Sequence, residues 1–261
     1  MNVLIFSDVH LQVGEAGRPG RERFIQFLHS FDPTQYDRII ILGDLFDFWF
    51  EYKHVIFSGY FDVLRAFAEL RDAGVQIDFV CGNHDLWAGR FLESELGFSI
   101  HRDRLHMDID GHKVLFVHGD GINPSDVGYR IYKKIAQFPF VVWLFGLLHP
   151  DWAMRLAQGV SHGSRRMFQA DDLSEGTEVA PLREHAERVL AAGEADVVFS
   201  GHCHYPQRLE YPTPDGTGLY INTGDWLYHC SYVVWDGHAF TTHSLKEAEE
   251  SATEEVTERK A

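Results

Sequence analysis

Arg38-Ile39-Ile40-Ile41-Leu42-Gly43-Asp44-Leu45-Phe46-Asp47 runs from an apolar segment directly into a turn that carries two carboxylates. Four successive apolar residues closed by a glycine read as a strand buried on both faces, the kind found in covered parallel sheets. Working outward, Val3 to Phe6 and Ile77 to Cys81 have the same character. Helical periodicity lies between these runs, over Glu22 to Phe31 and over Tyr60 to Ala73, with Gly74 placed to close the second helix. Strand-helix-strand alternation predicts an α/β fold with a parallel sheet. Further on, Leu105 to Ile109 and Lys113 to Val117 flank Asp110-Gly111, a hairpin turn signal. Val197 to Ser200, Gly218 to Asn222 and Tyr232 to Trp235 read as more strands, the last followed by the turn Asp236-Gly237. A mixed, two-layered sheet structure is expected, and no repeat of fixed period is present.

Composition narrows the function classes. The chain has 261 residues, and its hydrophobic and charged contents of 45% and 24% exclude wholesale disorder. A net charge of −16 argues against a general nucleic-acid binder, which needs a basic face. Cys81, Cys203 and Cys230 are too few and too scattered for a disulfide framework, so a reduced, cytoplasmic setting is expected. Residues 1–8 carry no basic leader pattern of a signal peptide. The longest apolar run, Phe138 to Leu148, is too short to span a bilayer. The unusual number is 16 histidines, since histidine is the commonest metal ligand and proton carrier near neutral pH.

Five short motifs stand where the expected strands end. They are Asp8-Val9-His10, Gly43-Asp44-Leu45-Phe46-Asp47, Gly82-Asn83-His84-Asp85, His118-Gly119-Asp120 and Gly201-His202-Cys203-His204. Open α/β folds place their sites at the carboxyl ends of strands. Asp, Asn and His together offer hard oxygens and borderline nitrogens that suit a pair of Mn, Fe, Zn or Mg ions. Taken singly, each motif reads as a turn or a hydrogen-bonded histidine. All five in order, each at a strand end, point to a dinuclear centre with Asp44 as the shared carboxylate, suited to activating water for in-line attack on phosphorus.

In this order the motifs resemble the calcineurin-like metallophosphoesterases, over roughly residues 3 to 235. The resemblance implies a four-layer αββα sandwich and a metal-dependent hydrolase. It implies that Asp8, His10, Asp44 and His204 hold one metal, and that Asp44, Asn83, His118 and His202 hold the other. His84 would face the substrate phosphate as a catalytic group rather than a ligand, and Asp47 would orient it as a carboxylate partner. Mn2+ is the metal the family implies, with Fe or Zn compatible with the same ligands.

Residues 123–168 form an insert of different character. Six basic and two acidic residues give it a net charge of +4, which leaves −20 on the remainder, and it is rich in Phe, Trp, Leu and Val. Two readings fit: a helical cap that meets anionic lipid or a lipid-bearing substrate, or a helical hairpin packed on the core. Asp126-Val127-Gly128-Tyr129 at its start resembles the UDP-2,3-diacylglucosamine pyrophosphohydrolases of lipid A synthesis, whose cap encloses acyl chains. That resemblance implies substrate contacts from Asp126, Tyr129, Ser164, Arg165 and Arg166. It also implies a nucleotide-linked lipid substrate cut to UMP and 2,3-diacylglucosamine 1-phosphate, and peripheral contact with the cytoplasmic face of the inner membrane, with no obligate protein partner. The best-known branch has Arg where this chain has His84, a group that can also donate a proton. The alternative is a soluble phosphodiesterase or nucleotide pyrophosphatase. The domain expected is 1–245 with the cap inserted, followed by an acidic tail over 246–261. Tyr220 to Trp226 is read as structural.

Overall fold

Alternation within the strands decides what each sheet face touches. The computed structural model describes residues 1–157, 159 and 177–246. One sheet contains β1 (Val3–Phe6), β2 (Arg38–Ile41), β3 (Gln76–Val80), β4 (Phe98–His101), β10 (Ser231–Trp235) and β11 (Phe240–Ser244), in the order β11-β10-β1-β2-β3-β4. β1 to β4 run parallel, and β10 closes antiparallel on β1. The other contains β5 (Arg104–Ile109), β6 (His112–Val117), β7 (Val197–Ser200), β8 (Gln207–Thr213) and β9 (Gly216–Asn222), in the order β5-β6-β7-β9-β8. Its three central strands are parallel.

Val3, Ile5, Ile40, Leu42, Val80, Phe116, Phe199 and Ile221 fill the space between the sheets. Their sequence neighbours Leu4, Phe6, Ile39, Ile41 and Phe79 face the opposite way, onto helices α1 (Arg18–Ser30), α2 (Phe61–Asp72) and α3 (Arg90–Leu96). The outer face of the second sheet carries Leu115, Val117 and Val198 against α7 (Val179–Ala191). The layers are therefore α, β, β, α, as the motifs implied. Phe6, Phe24, Phe27 and Trp226 form the densest aromatic knot, with Phe27 and Trp226 ring centroids 4.4 Å apart.

Some boundaries differ from the sequence expectation. α1 begins at Arg18 rather than Glu22, because Pro19 in the first turn already has helical φ. α2 follows a 3-10 turn, Ser58–Tyr60, and closes as expected on Gly74, whose φ of +95° suits the left-handed end of a helix. The turn Asp110-Gly111 joins β5 to β6 with both residues at positive φ, the backbone of a tight hairpin. β4, β8, β11, α3 and α7 have no counterpart among the segments the sequence predicts.

The insert leaves the chain after β6 as α4 (Val127–Ala136), α5 (Pro139–Phe145) and α6, described over 150–157. Ser164, Arg165 and Arg166 lie outside the described residues, as does the acidic tail after Lys246.

Candidate metal centre

β1, β2 and β3 end level, since Phe6 pairs with Ile41 and Ile41 with Phe79. β6, β7 and β9 end level in the other sheet, where Phe116, Phe199 and Ile221 align. The loops after five of these six strands carry the expected ligands. They gather into three groups whose ligand atoms lie within 4.8 Å of one another: Asp8, His10 and His204; His10, Asp44 and His84; and Asp44, His118 and His202. Asp8, His10 and His204 are three of the four residues expected in one set, and Asp44, His118 and His202 three of the four expected in the other. Asn83 joins the second through Oδ1, 3.2 Å from His118 Nε2.

The backbone is strained to achieve this. Asp8, His10, Asp44, His202 and His204 have φ between 49° and 68°, and the only other described non-glycine residues at positive φ are Asp110 and Cys230. Each such residue costs roughly 1–2 kcal/mol, a burden that persists at functional sites where surrounding bonds impose it. Those bonds run from loop to loop. Asp8 N donates to Gly43 O, His10 N to Asp44 O, Gly201 N to His118 O and Trp226 N to Asp8 O. Two glycines allow the loops to close. A Cβ on Gly82 would overlap the Asp44 carboxylate, and one on Gly201 the Asp8 carboxylate.

Asp8, Asp44 and His118 each have one atom fixed by the protein and one left to converge. Asp8 Oδ2 accepts from Ser7 Oγ and from His202 N at 2.8 Å, while buried Oδ1 has no hydrogen-bond partner and faces His204 Nε2 at 3.3 Å. Asp44 Oδ1 accepts from His84 N at 2.9 Å, while Oδ2 lies 3.7 Å from His10 Nε2 and 3.5 Å from His118 Nε2. His118 Nδ1 donates to Leu42 O at 2.6 Å, which turns Nε2 toward the cluster. His10 Nε2 and His204 Nε2 approach to 3.1 Å.

Electrostatics point the same way. Burial opposes ionisation of Asp44, but His118, His84 and His10 outweigh it and hold the carboxyl well below its usual range. Burial likewise opposes a charged His118, yet Asp44, Asp8 and Asp120 raise it to about 10. Neighbouring His202 is pushed down to about 4 by burial and by His118. A buried carboxylate pair that recruits a proton onto an imidazole is a place suited to a cation. The orphaned Asp8 oxygen, the facing imidazoles and the shared Asp44 oxygen fit divalent metal ions.

His84 is 4.0 Å from Asp44 Oδ2 through Nε2, so it borders the centre between the two ligand sets. Its Nδ1 donates to the main-chain carbonyl of Asp47 at 2.7 Å, while the Asp47 carboxylate stands 3.9 Å from both His84 Nδ1 and His10 Nδ1. The orienting bond therefore comes from the Asp47 backbone rather than from the carboxylate the motif implied. Asp126 accepts from Tyr129 N at 2.9 Å and caps α4. Tyr129 donates its hydroxyl to Asp120 at 2.5 Å, and burial together with Asp120 pushes that hydroxyl up, so it keeps its proton.

Sequence reasoning missed the buttresses. Asp85 is fully buried and accepts from Gly82 N, Leu45 N and Asp44 N, tying the second and third ligand loops together. Burial and the nearby Asp44 raise its carboxyl to about 7. Its place in the Gly-Asn-His-Asp motif was the available signal. Asn222, within the stretch read as structural, donates to Gly201 O at 2.7 Å.

The cap stands on three of the ligand loops. Tyr129 reaches Asp120, Trp87 Nε1 donates to Ala136 O at 2.9 Å, and Phe145 packs on Phe48, Phe50 and Trp87. Many of its other large apolar side chains are exposed. Ile131, Ile135, Phe138, Phe140, Trp143, Leu147 and Trp152 are all exposed, Trp152 at 65%. Among the described residues no helix is long and apolar enough to cross a membrane.

A family model described as calcineurin-like phosphoesterase matches residues 1–206. A Porphyromonas gingivalis protein named UDP-2,3-diacylglucosamine hydrolase is 32% identical over 231 residues, covering 81% of this chain and 84% of its own. Proteins of the same name from Aeromonas hydrophila and Aeromonas salmonicida are 27% and 29% identical, each covering 90% of this chain and 94% and 89% of their own.

Proposed function

Because the chain belongs to the calcineurin-like phosphoesterases and is a metal-dependent hydrolase of phosphoester bonds, we propose that it cleaves the diphosphate of UDP-2,3-diacylglucosamine to UMP and 2,3-diacylglucosamine 1-phosphate. The observation that carries this reading is the cap: an outward apolar surface, seated on the loops that bear Asp44, His84 and His118. A substrate with two acyl chains and an anionic diphosphate has use for both parts.

Two divalent ions, Mn2+ by choice, would be held by Asp8, His10, Asp44 and His204 and by Asp44, Asn83, His118 and His202. When bound, they supply Lewis acidity toward the phosphoryl oxygens and a nucleophile from water at neutral pH. The protein supplies the rest. His84, pinned at Nδ1 by the Asp47 carbonyl, presents Nε2 to the phosphate, where it stabilises developing charge and can deliver a proton to the leaving oxygen. Asp126 has spent one carboxylate oxygen on Tyr129 N, and its second is available to a sugar hydroxyl. Exposed Phe140, Trp143, Leu147 and Trp152, with Arg130 and Lys134 alongside, suit peripheral contact with an anionic cytoplasmic leaflet of the inner membrane.

The test is UMP release from UDP-2,3-diacylglucosamine against UDP-N-acetylglucosamine. Burial of acyl methylenes, at about 0.8 kcal/mol each, predicts a preference of roughly a hundredfold or more in kcat/KM. Equal rates sink the lipid reading. They would support a soluble phosphodiesterase or nucleotide pyrophosphatase, which one residue favours: His84, where the best-known branch of the resembling family has arginine.

A further inference from the structure

α4 is amphipathic the wrong way round for a helix seated on a protein. Val127, Ile131, Tyr132 and Ile135, spaced along one face, are exposed by half or more, and the only described residue the helix buries is Ala136. The inward face carries Tyr129 and Lys133 instead, one helical turn apart. Both reach the same group. Tyr129 Oη donates to Asp120 Oδ2 at 2.5 Å, and Lys133 Nζ lies 2.8 Å from that same oxygen. The Lys133 side chain is 17% exposed and the Asp120 side chain 3%, so this ion pair is sheltered from water, with the Asp103 carboxylate 3.9 Å away on its outer side. Asp120 follows His118 by two residues and is flanked by Gly119 and Gly121, both at positive φ. That double turn leaves the carboxylate beside His118 and in contact with the cap through Tyr129 and Lys133.

Hydrophobic contact beneath a helix is non-directional and tolerates sliding. A charged hydrogen-bonded pair fixes distance and direction, and breaking it leaves a buried charge without its partner. We propose that Asp120 and Lys133 form the latch that sets the position of the cap over the metal centre, with Lys133 a positioning residue for large substrates. Lys133 then does not act on the reacting phosphoryl group. The inference rests on the reading of the cap as the part of the site that receives a lipid, but the latch itself is a statement about α4.

The experiment uses the full-length, metal-loaded protein and compares wild type, Lys133→Met and Lys133→Arg. Three quantities are measured: amide hydrogen exchange across residues 127–136, KM and kcat for UDP-2,3-diacylglucosamine, and turnover of bis(p-nitrophenyl) phosphate, which is too small to need the cap. In Lys133→Met, exchange across α4 rises about tenfold or more, KM for the lipid substrate rises about tenfold, and small-diester turnover and metal content stay at wild-type values. Lys133→Arg restores exchange and KM, because a guanidinium can still pair with Asp120. Unchanged exchange in Lys133→Met overturns the latch. So does a parallel fall in turnover of both substrates, which would put Lys133 at the reacting centre. If wild-type protein does not turn over the lipid, the substrate reading has failed, and the exchange of α4 alone then decides the latch.

Discussion

The metal centre and the cap are adjacent, yet they are built on opposite terms. In the centre, five ligand residues accept left-handed backbone conformations, and bonds between loops hold them there. Asp8, Asp44 and His118 each have one polar atom fixed by a neighbour and another left to converge. In the cap, the backbone is ordinary helix and most of the large apolar side chains other than Phe145 are exposed. A handful of anchors hold it to the domain. Chemistry that needs tenths of an ångström is placed where strain is tolerated and over-determined. The exposed apolar surface is carried by helices that have little else to hold them.

Five variants would break or sharpen that contrast. Asp44→Ala removes the oxygen shared by both ligand sets. It should lower turnover of lipid and small diester alike by about a thousandfold or more, with metal content by elemental analysis falling in step; retained metal would mean that Asp44 is not shared. Gly82→Ala drives a methyl into the Asp44 carboxylate. It should cost roughly 1–3 kcal/mol of stability by denaturant titration and weaken metal binding, and a neutral result would show that the two loops can part. Ser7→Ala removes one of the two donors to Asp8 Oδ2. Metal affinity should fall about 10- to 100-fold with the melting temperature barely moved, and an unchanged titration would show that His202 N alone suffices. The double variant Trp143→Ser, Trp152→Ser should leave small-diester turnover unchanged and stability within ~0.5 kcal/mol, while binding to vesicles containing anionic lipid weakens. By contrast Phe27→Ala, in the aromatic knot of the core, should cost ~3–5 kcal/mol. Equal losses from the two substitutions would erase the distinction between cap and core.

What the sequence disclosed follows the same division. β1, β2, β3 and the β5–β6 hairpin were legible because they are continuous apolar runs or carry a dipeptide that needs positive φ. α3 was not: it is short, and its amino end is capped by Glu51, some forty residues upstream, which accepts from Gly89 N and Phe91 N. β8 alternates between intermediate and exposed residues and contains Pro212, as an edge strand can. The ligands were legible as residue types at strand ends. Their left-handed backbone, the buttress from Asp85 and the Asp47 carbonyl under His84 depend on which loop meets which, and no local pattern encodes that. The same holds for α4, where the apolar spacing marks a helix face but not whether that face turns inward.

β1 lies between β2, made soon after it, and β10, which begins only at Ser231. During synthesis its second edge stays unpaired until residue 231 onward has been made, while the chain already displays Asp8, His10 and Asp44. The brace from Trp226 N to Asp8 O arrives just before that strand. That open β1 edge is the interval in which the nascent chain is most exposed to mispairing.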